Sequence, residues 1–91
     1  MAYLFKNDKG VEYRIKWHKM SAKYYGLCDD PESNKPQIQI EDGLNRRMTI
    51  NLIIHEVLHA FFWDAPEKKV NKFANVASRL IEQRIKEKFN K

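Results

Sequence analysis

A pair of histidines inside a long apolar segment is the feature that most constrains this chain. Residues 48–62 consist mainly of Ile, Leu, Val, Ala and Phe, and they contain the pentapeptide His55-Glu56-Val57-Leu58-His59. Residues four apart share one face of an α-helix, so both imidazoles can reach a single zinc ion with Glu56 beside them. The alternative is a set of core side chains that satisfy one another, but each would cost about 1–3 kcal/mol if unpaired. The pattern therefore predicts a zinc site at His55 and His59.

The length of the chain bounds its organisation. At 91 residues it is the size of one small domain, which buries only about 60–65% of the surface that its unfolded form exposes. Apolar residues make up 43% of the sequence, enough for one core. No internal repeat, low-complexity tract or long linker divides the chain. We predict a single domain over residues 1–91.

Composition also predicts the compartment. No run approaches the 18 or so apolar residues of a membrane span, and the first residues lack the features of a secretory signal. The lone Cys28 cannot form an internal disulfide and lies beside Asp29 and Asp30, with no cationic group nearby to favour a thiolate. We expect a soluble, cytoplasmic protein without a membrane partner, in which Cys28 is an inert thiol.

The net charge of +5 is unevenly distributed. Residues 1–65 hold nine basic and nine acidic side chains, whereas residues 66–91 hold eight basic and three acidic ones. Such a basic segment either docks on nucleic acid or another acidic partner, or forms the solvated face of a helix. A solvated helix face is the more common case, so we regard nucleic acid as the less expected partner.

Alternating patterns predict three strands. The segment 12–17 alternates apolar and charged residues, and Leu4-Phe5 can pair with it across the turn at Asn7-Asp8-Lys9-Gly10. A third strand is expected at Gln37-Ile38-Gln39-Ile40. Pro36 cannot donate to a β-ladder, which suits the start of an edge strand.

Two helices are expected after the strands. The first runs from about Asn45 to Trp63 and is apolar nearly all round, so it belongs inside. The second follows Asp64-Ala65-Pro66, with Asp64 as candidate N-cap. It has one apolar stripe, formed by Val70, Phe73, Ala74, Ala77, Leu80, Ile81, Ile85 and Phe89. The predicted fold is α+β: a small sheet of about three strands on the buried motif helix, with the C-terminal helix folded back antiparallel.

These motifs resemble the single-domain zincin metallopeptidases, particularly the minimal gluzincin-like forms of phages and the related ImmA/IrrE type. The resemblance covers about residues 24–82. The segments that carry it are Tyr25-Gly26-Leu27, Gln37-Ile38-Gln39-Ile40 and Thr49-Ile50-Asn51-Leu52-Ile53-Ile54-His55-Glu56-Val57-Leu58-His59-Ala60. It implies hydrolysis of peptide bonds in a peptide or protein substrate, with one Zn²⁺ held by His55 and His59 and with Glu56 as general base. It also implies an edge strand ahead of the helix that takes the substrate as an added strand, here Gln37, Ile38, Gln39 and Ile40.

The third ligand is less clearly defined, because the spacing departs from the family pattern. The segment Glu67-Lys68-Lys69-Val70-Asn71-Lys72-Phe73-Ala74 is similar to an E-x-x-A-N-x-F-A context of gluzincins. That similarity implies that Glu67 ligates the metal and that Asn71 orients a histidine. Two alternatives stay open: Glu67 as a capping-box partner of Asp64, and Asp64 itself as the ligand.

Two further questions stay open in the sequence. A donor that stabilises the oxyanion is expected outside the motif, and His18, Tyr24 and Tyr25 are the upstream candidates, although each also suits a packing or surface role. The alternative function is a non-catalytic binding module, zinc-containing or derived from a zincin, that docks nucleic acid through the basic C-terminal helix.

Overall fold

A computed structural model describes residues 3–21 and 23–89 and has an α+β fold. Lys91 of the basic C-terminal segment lies outside these ranges. The elements in chain order are β1 (Tyr3–Lys6), β2 (Glu12–His18), β3 (Gly26–Cys28), β4 (Gln37–Glu41), α1 (Arg46–Phe61) and α2 (Glu67–Phe89). The predicted fold class is confirmed. The described strands number four rather than about three, because β3 is too short to show an alternating pattern.

The sheet has the order β1-β2-β4-β3. β1 pairs with β2 and β3 pairs with β4 in antiparallel fashion, whereas β2 and β4 are parallel. The expectation that residues 37–40 form an edge strand is therefore wrong, since β4 has a neighbour on both sides. Pro36 precedes the first ladder residue, so its missing N–H costs the sheet nothing, and its carbonyl accepts a hydrogen bond from the Arg14 N–H at 3.3 Å.

The core lies between the inner face of this sheet and α1. Alternation along the two central strands turns Tyr13, Ile38 and Ile40 inward, where they are fully buried against Ala60 of α1. Full burial of each isoleucine side chain stabilises the fold by about 1.5–3 kcal/mol. The core thus fixes the position of α1 beneath the sheet.

The turn between β1 and β2 is tied to the end of α1 by Asn7. Its side-chain Oδ1 accepts hydrogen bonds from the Lys9 and Val11 N–H groups, both at 2.9 Å, and Gly10 completes the turn with a φ of 80°. Its Nδ2 donates to the carbonyl of Ala60 at 3.0 Å. One of the last carbonyls of the helix, which has no partner inside the helix, is satisfied in this way.

Helix α1 begins after Asn45, whose side chain accepts a hydrogen bond from the Met48 N–H at 2.9 Å. It was expected to be buried nearly all round, but only Glu56 and Ala60 are buried and most other side chains are half-buried. The reason is geometric: the sheet covers one side of α1 and α2 another. The surface of α1 between these two contacts is not covered by any described element.

Helix α2 folds back antiparallel on α1, as predicted. Successive residues of α2 meet earlier and earlier residues of α1: Glu67 contacts His59 and His55, Asn75 accepts a hydrogen bond from Asn51, and Glu82 pairs with Arg46. The buried stripe of α2 is narrow and consists of Val70, Ala74 and Ser78.

The predicted apolar stripe of α2 is wider than the face that packs. Its small members lie against α1, but Phe73, Leu80, Ile81 and Phe89 are exposed, because no described element covers their side of the helix. Neither described helix combines the length and the apolar character needed to cross a membrane.

Candidate metal centre

Three predicted ligands meet at one point between the two helices. The Nε2 atom of His55 lies 2.7 Å from Glu67 Oε1, and the Nε2 atom of His59 lies 2.9 Å from Glu67 Oε2. The two Nε2 atoms are 3.2 Å apart. Among the described residues, these three form the one group of His, Cys, Asp and Glu side chains arranged to hold a metal ion.

Local structure explains this convergence. The two histidines are four residues apart, so one face of α1 carries both. The Phe62 N–H bonds to the Leu58 carbonyl at 2.7 Å, and the Ala65 N–H bonds to the Phe62 carbonyl at 2.9 Å, which turns the chain back within a few residues. Glu67 then opens α2 opposite the last turns of α1.

The donor set fits zinc. Two imidazole nitrogens and a carboxylate oxygen are the ligands of many catalytic zinc sites, which keep a fourth position open. Nitrogens about 2.0–2.1 Å from a tetrahedral zinc ion lie about 3.3–3.4 Å from each other. The separation of 3.2 Å between the histidine nitrogens is close to that requirement. The carboxylate of Glu67 already faces both nitrogens, so no rearrangement of the backbone is needed.

The structure does not bring Asp64 into this group. Asp64 is exposed and lines a different surface depression with Asn7 and Lys9. It does not cap α2 either, because its side chain makes no hydrogen bond within residues 3–21 and 23–89. The Pro66 carbonyl accepts the first helical bonds instead, from Lys69 and Val70. The carboxylate of Glu67 contacts the histidines and makes no hydrogen bond to Asp64 among the described residues, which disfavours the alternative of a capping box.

Asn71 lies one turn beyond Glu67 and is exposed. No hydrogen bond joins it to His55 or His59 in the part of the chain that the structure describes. Its role in orienting a histidine stays a prediction without a contact to support it. Between the metal group and the Arg46–Glu82 pair, Asn51 links the two helices: it donates to Asn75 at 2.7 Å and to Ser78 at 3.3 Å.

Glu56 lies beside the three ligands and is only 5% exposed. Its carboxylate has no hydrogen-bond partner among the described residues, yet Glu56 lines the same cavity as the histidines and Glu67. Burial raises the pKa of Glu56 to about 7, and the nearby negative charge of Glu67 adds to the effect. Burial also lowers the pKa of His55. The site thus combines an imidazole that favours its neutral form with a carboxylate that can accept or hold a proton.

The cavity has a volume of about 530 Å³, and all three residues of β3 line it. Its lining residues are Tyr24, Gly26, Leu27, Cys28, His55, Glu56, His59, Trp63, Ala65 and Glu67. A Cβ atom at Gly26 would lie 2.8 Å from Glu56 Oε2, closer than such contacts ever are. Gly26 therefore leaves room for the Glu56 carboxylate. The sequence alone indicates no role for Gly26, because a single glycine has many ordinary explanations.

The outer edge of β3 is open, since no other described strand pairs with it. The Tyr25 carbonyl accepts from the Glu41 N–H at 2.8 Å, and the Asp29 N–H donates to the Gln37 carbonyl at 3.0 Å, so both residues point their backbone groups towards β4. By alternation, the backbone N–H and C=O groups of Gly26 and Cys28 point away from β4. They form an unpaired strand edge directly beside the cavity.

The three candidates for stabilising the oxyanion lie at different places in the structure. Tyr24 lines the cavity, whereas His18 lies in β2 and contacts Gln39 at 2.9 Å, away from the histidine pair. Tyr25 lines a neighbouring cavity.

Burial, reinforced by the charge of Glu56, raises the pKa of Cys28 to about 12, so its thiol stays protonated, in keeping with an inert cysteine. Trp63, which was expected to be a core or rim aromatic, lies at the rim with its ring 6.3 Å from that of His59.

Comparison of the chain with protein-family models, with curated proteins and with solved structures finds no match.

Proposed function

We propose that this protein is a zinc-dependent metallopeptidase that hydrolyses peptide bonds in a cytoplasmic peptide or protein. One observation carries the proposal: His55, His59 and Glu67 converge within hydrogen-bond distances of one another, and the unpartnered carboxylate of Glu56 lines the same cavity. Structural zinc sites are closed by four protein ligands, whereas a set of three leaves a position for substrate or water. The resemblance of the motif to the zincins points to the same activity.

The placement of the residues supports the following roles. His55, His59 and Glu67 would hold the ion, which when bound supplies a Lewis acid that lowers the pKa of water and polarises a carbonyl. Glu56 takes a proton from the attacking water and passes it to the leaving amine, a task suited to a carboxylate whose pKa is raised towards neutrality. Gly26 keeps the space that this carboxylate occupies. No covalent intermediate with the chain is required.

The substrate is expected to lie along β3 rather than along β4. The unpaired backbone groups of Gly26 and Cys28 can bond to an extended peptide, which then becomes a fifth strand of the sheet. A peptide bound at this edge passes over the cavity that holds Glu56 and the histidines. The role that the family resemblance assigned to Gln37–Ile40 is thereby transferred to the edge strand that the topology leaves open.

The decisive experiment separates metal binding from catalysis. Purified protein should contain one equivalent of zinc, and the His55→Ala, His59→Ala double variant should contain none. Glu56→Gln should keep the zinc but lower peptide hydrolysis by about 10²–10⁴-fold, the range of general acid–base catalysis. Hydrolysis that is unchanged in Glu56→Gln, or that survives in the zinc-free variant, would contradict the proposal.

The alternative is a non-catalytic module that docks nucleic acid through α2. It is favoured by one observation: Lys68, Lys69 and Lys72 are exposed, and none has a carboxylate partner among the described residues. Such a module should bind DNA with an affinity that falls steeply with salt, should hydrolyse no peptide, and should be indifferent to Glu56→Gln.

A further inference from the structure

A second cavity continues the first one along α1. It has a volume of about 430 Å³ and is lined by Tyr25, Asn45, Arg47, Met48, Asn51, Leu52 and Asn75. The two cavities adjoin at Gly26 and Leu52, because a Cβ atom on Gly26 would lie 3.3 Å from Leu52 Cδ2. Gly26 lines the first cavity and Leu52 the second, so a chain bound along β3 would cross both.

The chemistry of this second cavity is that of an anion site with an apolar wall. Arg47 has no ion-pair partner within residues 3–21 and 23–89, and no acidic residue lines the cavity. The Asn51 amide N–H₂ group donates to Asn75 Oδ1 at 2.7 Å, which leaves the amide N–H₂ group of Asn75 available as a donor. Met48 and Leu52 supply apolar surface on which the methylene groups of a side chain can pack.

The distance between Arg47 and Glu56, the proposed general base, sets which residue of a bound peptide reaches the second cavity. Arg47 precedes Glu56 by nine residues, about 13.5 Å along a helix axis. An extended peptide advances about 3.3 Å per residue, so this distance corresponds to about four residues of substrate. Resting on the proposed peptidase function, we propose that the second cavity is a subsite for an acidic side chain about four residues from the bond that is cut, with Arg47 recognising its carboxylate.

A binding experiment tests this directly, without relying on turnover. The protein carries Glu56→Gln so that peptides are retained, and the probes are fluorescent peptides with Glu or Gln at the fourth residue on either side of a central dipeptide. Only one of the two positions should place its side chain in the second cavity. At that position we expect the Glu peptide to bind about 3- to 10-fold more tightly than the Gln peptide, as for one partly solvated charged hydrogen bond. Adding Arg47→Gln should abolish that ratio, because the carboxylate loses its cation.

The matched control is Arg14→Gln, which removes the same charge from an exposed position on the outer face of the sheet. It should keep the preference for Glu, which separates local recognition from the overall positive charge. Equal binding of the Glu and Gln peptides, or a preference that persists in Arg47→Gln, would overturn the subsite. Hydrolysis by the wild-type protein is measured in parallel. Cleavage without a Glu preference would reject the subsite alone, and a Glu preference without any cleavage would reject the peptidase function alone.

Discussion

Glu67 is the residue whose carboxylate joins the two helices at the candidate metal centre. Its side chain is 60% exposed, whereas those of His55 and His59 are 12% and 15% exposed. An exposed ion pair contributes little to stability on its own, because water screens it. Contact with two half-buried imidazoles at once is therefore better explained by a ligand role than by stabilisation of the fold.

We predict that Glu67→Ala lowers zinc affinity by at least the 10–100-fold that loss of an outer partner of a ligand typically costs. The physical reason is the loss of a charged oxygen donor, which leaves only the two imidazole nitrogens as ligands. Competition with a chromophoric chelator measures the affinity. Asp64→Asn is the control and should bind zinc like the wild-type protein, since Asp64 lies outside the group. Wild-type affinity in Glu67→Ala would refute the assignment.

Gly26 offers a second prediction at the scale of one residue. In Gly26→Ala the new methyl group displaces the Glu56 carboxylate, which it would otherwise meet at 2.8 Å. A misplacement of about 1 Å can cost about 10²-fold in rate, so kcat should fall to that extent while zinc content stays at one equivalent. Metal analysis and steady-state kinetics on the same sample check this. Gly43→Ala, whose Cβ would meet only Glu41 Oε2 at 3.6 Å, should leave kcat unchanged.

At the scale of elements, some features could be predicted from the sequence and others could not. The alternation of Glu12–Trp17 and Gln37–Ile40 revealed β2 and β4, and the spacing of His55 and His59 revealed a shared helical face. The order of the strands was not accessible, because a period of two residues says which face is buried but not which neighbour lies alongside. Pro36 was misread for that reason: it marks the start of a strand whether or not the strand lies at an edge.

The beginning of α2 shows a different limit. Asp64, Pro66 and Glu67 have the spacing of a helix start, and a helix does start there. A carboxylate can cap a helix or bind elsewhere, and local spacing is the same in both cases. The position of the Glu67 carboxylate is set by a tertiary contact across the turn, because two imidazoles of α1 lie next to it.

The exposed face of α2 leads to a prediction for this element. Reversing two charges near its end, Lys86→Glu together with Lys88→Glu, should lower the free energy of unfolding by only about 1–2 kcal/mol, because exposed charges in the last turn of a helix interact weakly with the helix dipole. Both side chains are exposed, and neither pairs with a carboxylate within the described residues. Peptidase activity on short peptides should also stay within twofold. A large loss of activity would show that this end of α2 contacts the substrate, contrary to our interpretation. Chemical denaturation and a peptide assay give the two readouts.

On the scale of the whole molecule, the buried apolar side chains are few: Tyr13, Ile38, Ile40, Ala60, Val70 and Ala74 in the described part of the chain. Small domains of this kind gain stability from any ligand that binds only the folded state. His55 and His59 of α1 meet Glu67 of α2, so an ion bound by these three residues would hold the two helices together. Stability and metal content are thus expected to vary together.

We predict that removing the metal with a chelator lowers the melting temperature by several degrees, on a scale of about 4–8 °C per kcal/mol for a domain of this size. Differential scanning calorimetry on zinc-loaded and stripped protein measures the shift. The His55→Ala, His59→Ala variant provides the control and should melt at the same temperature with and without chelator. An unchanged melting curve in a wild-type sample shown by metal analysis to be zinc-free would contradict the coupling.

The parallel pairing of β2 with β4 has a consequence for the order of folding events. The pairs β1–β2, β3–β4 and α1–α2 each join consecutive elements, whereas β2 and β4 are brought together across the whole of β3 and its flanking loops. Closing a longer loop costs more entropy, so non-local pairs tend to form late. We expect the helical hairpin that carries His55, His59 and Glu67 to assemble early, and the β3 edge to reach its place over Glu56 only when the sheet closes. When the complete chain refolds, the three candidate metal ligands would therefore come together before the strand edge proposed to bind the substrate is in place.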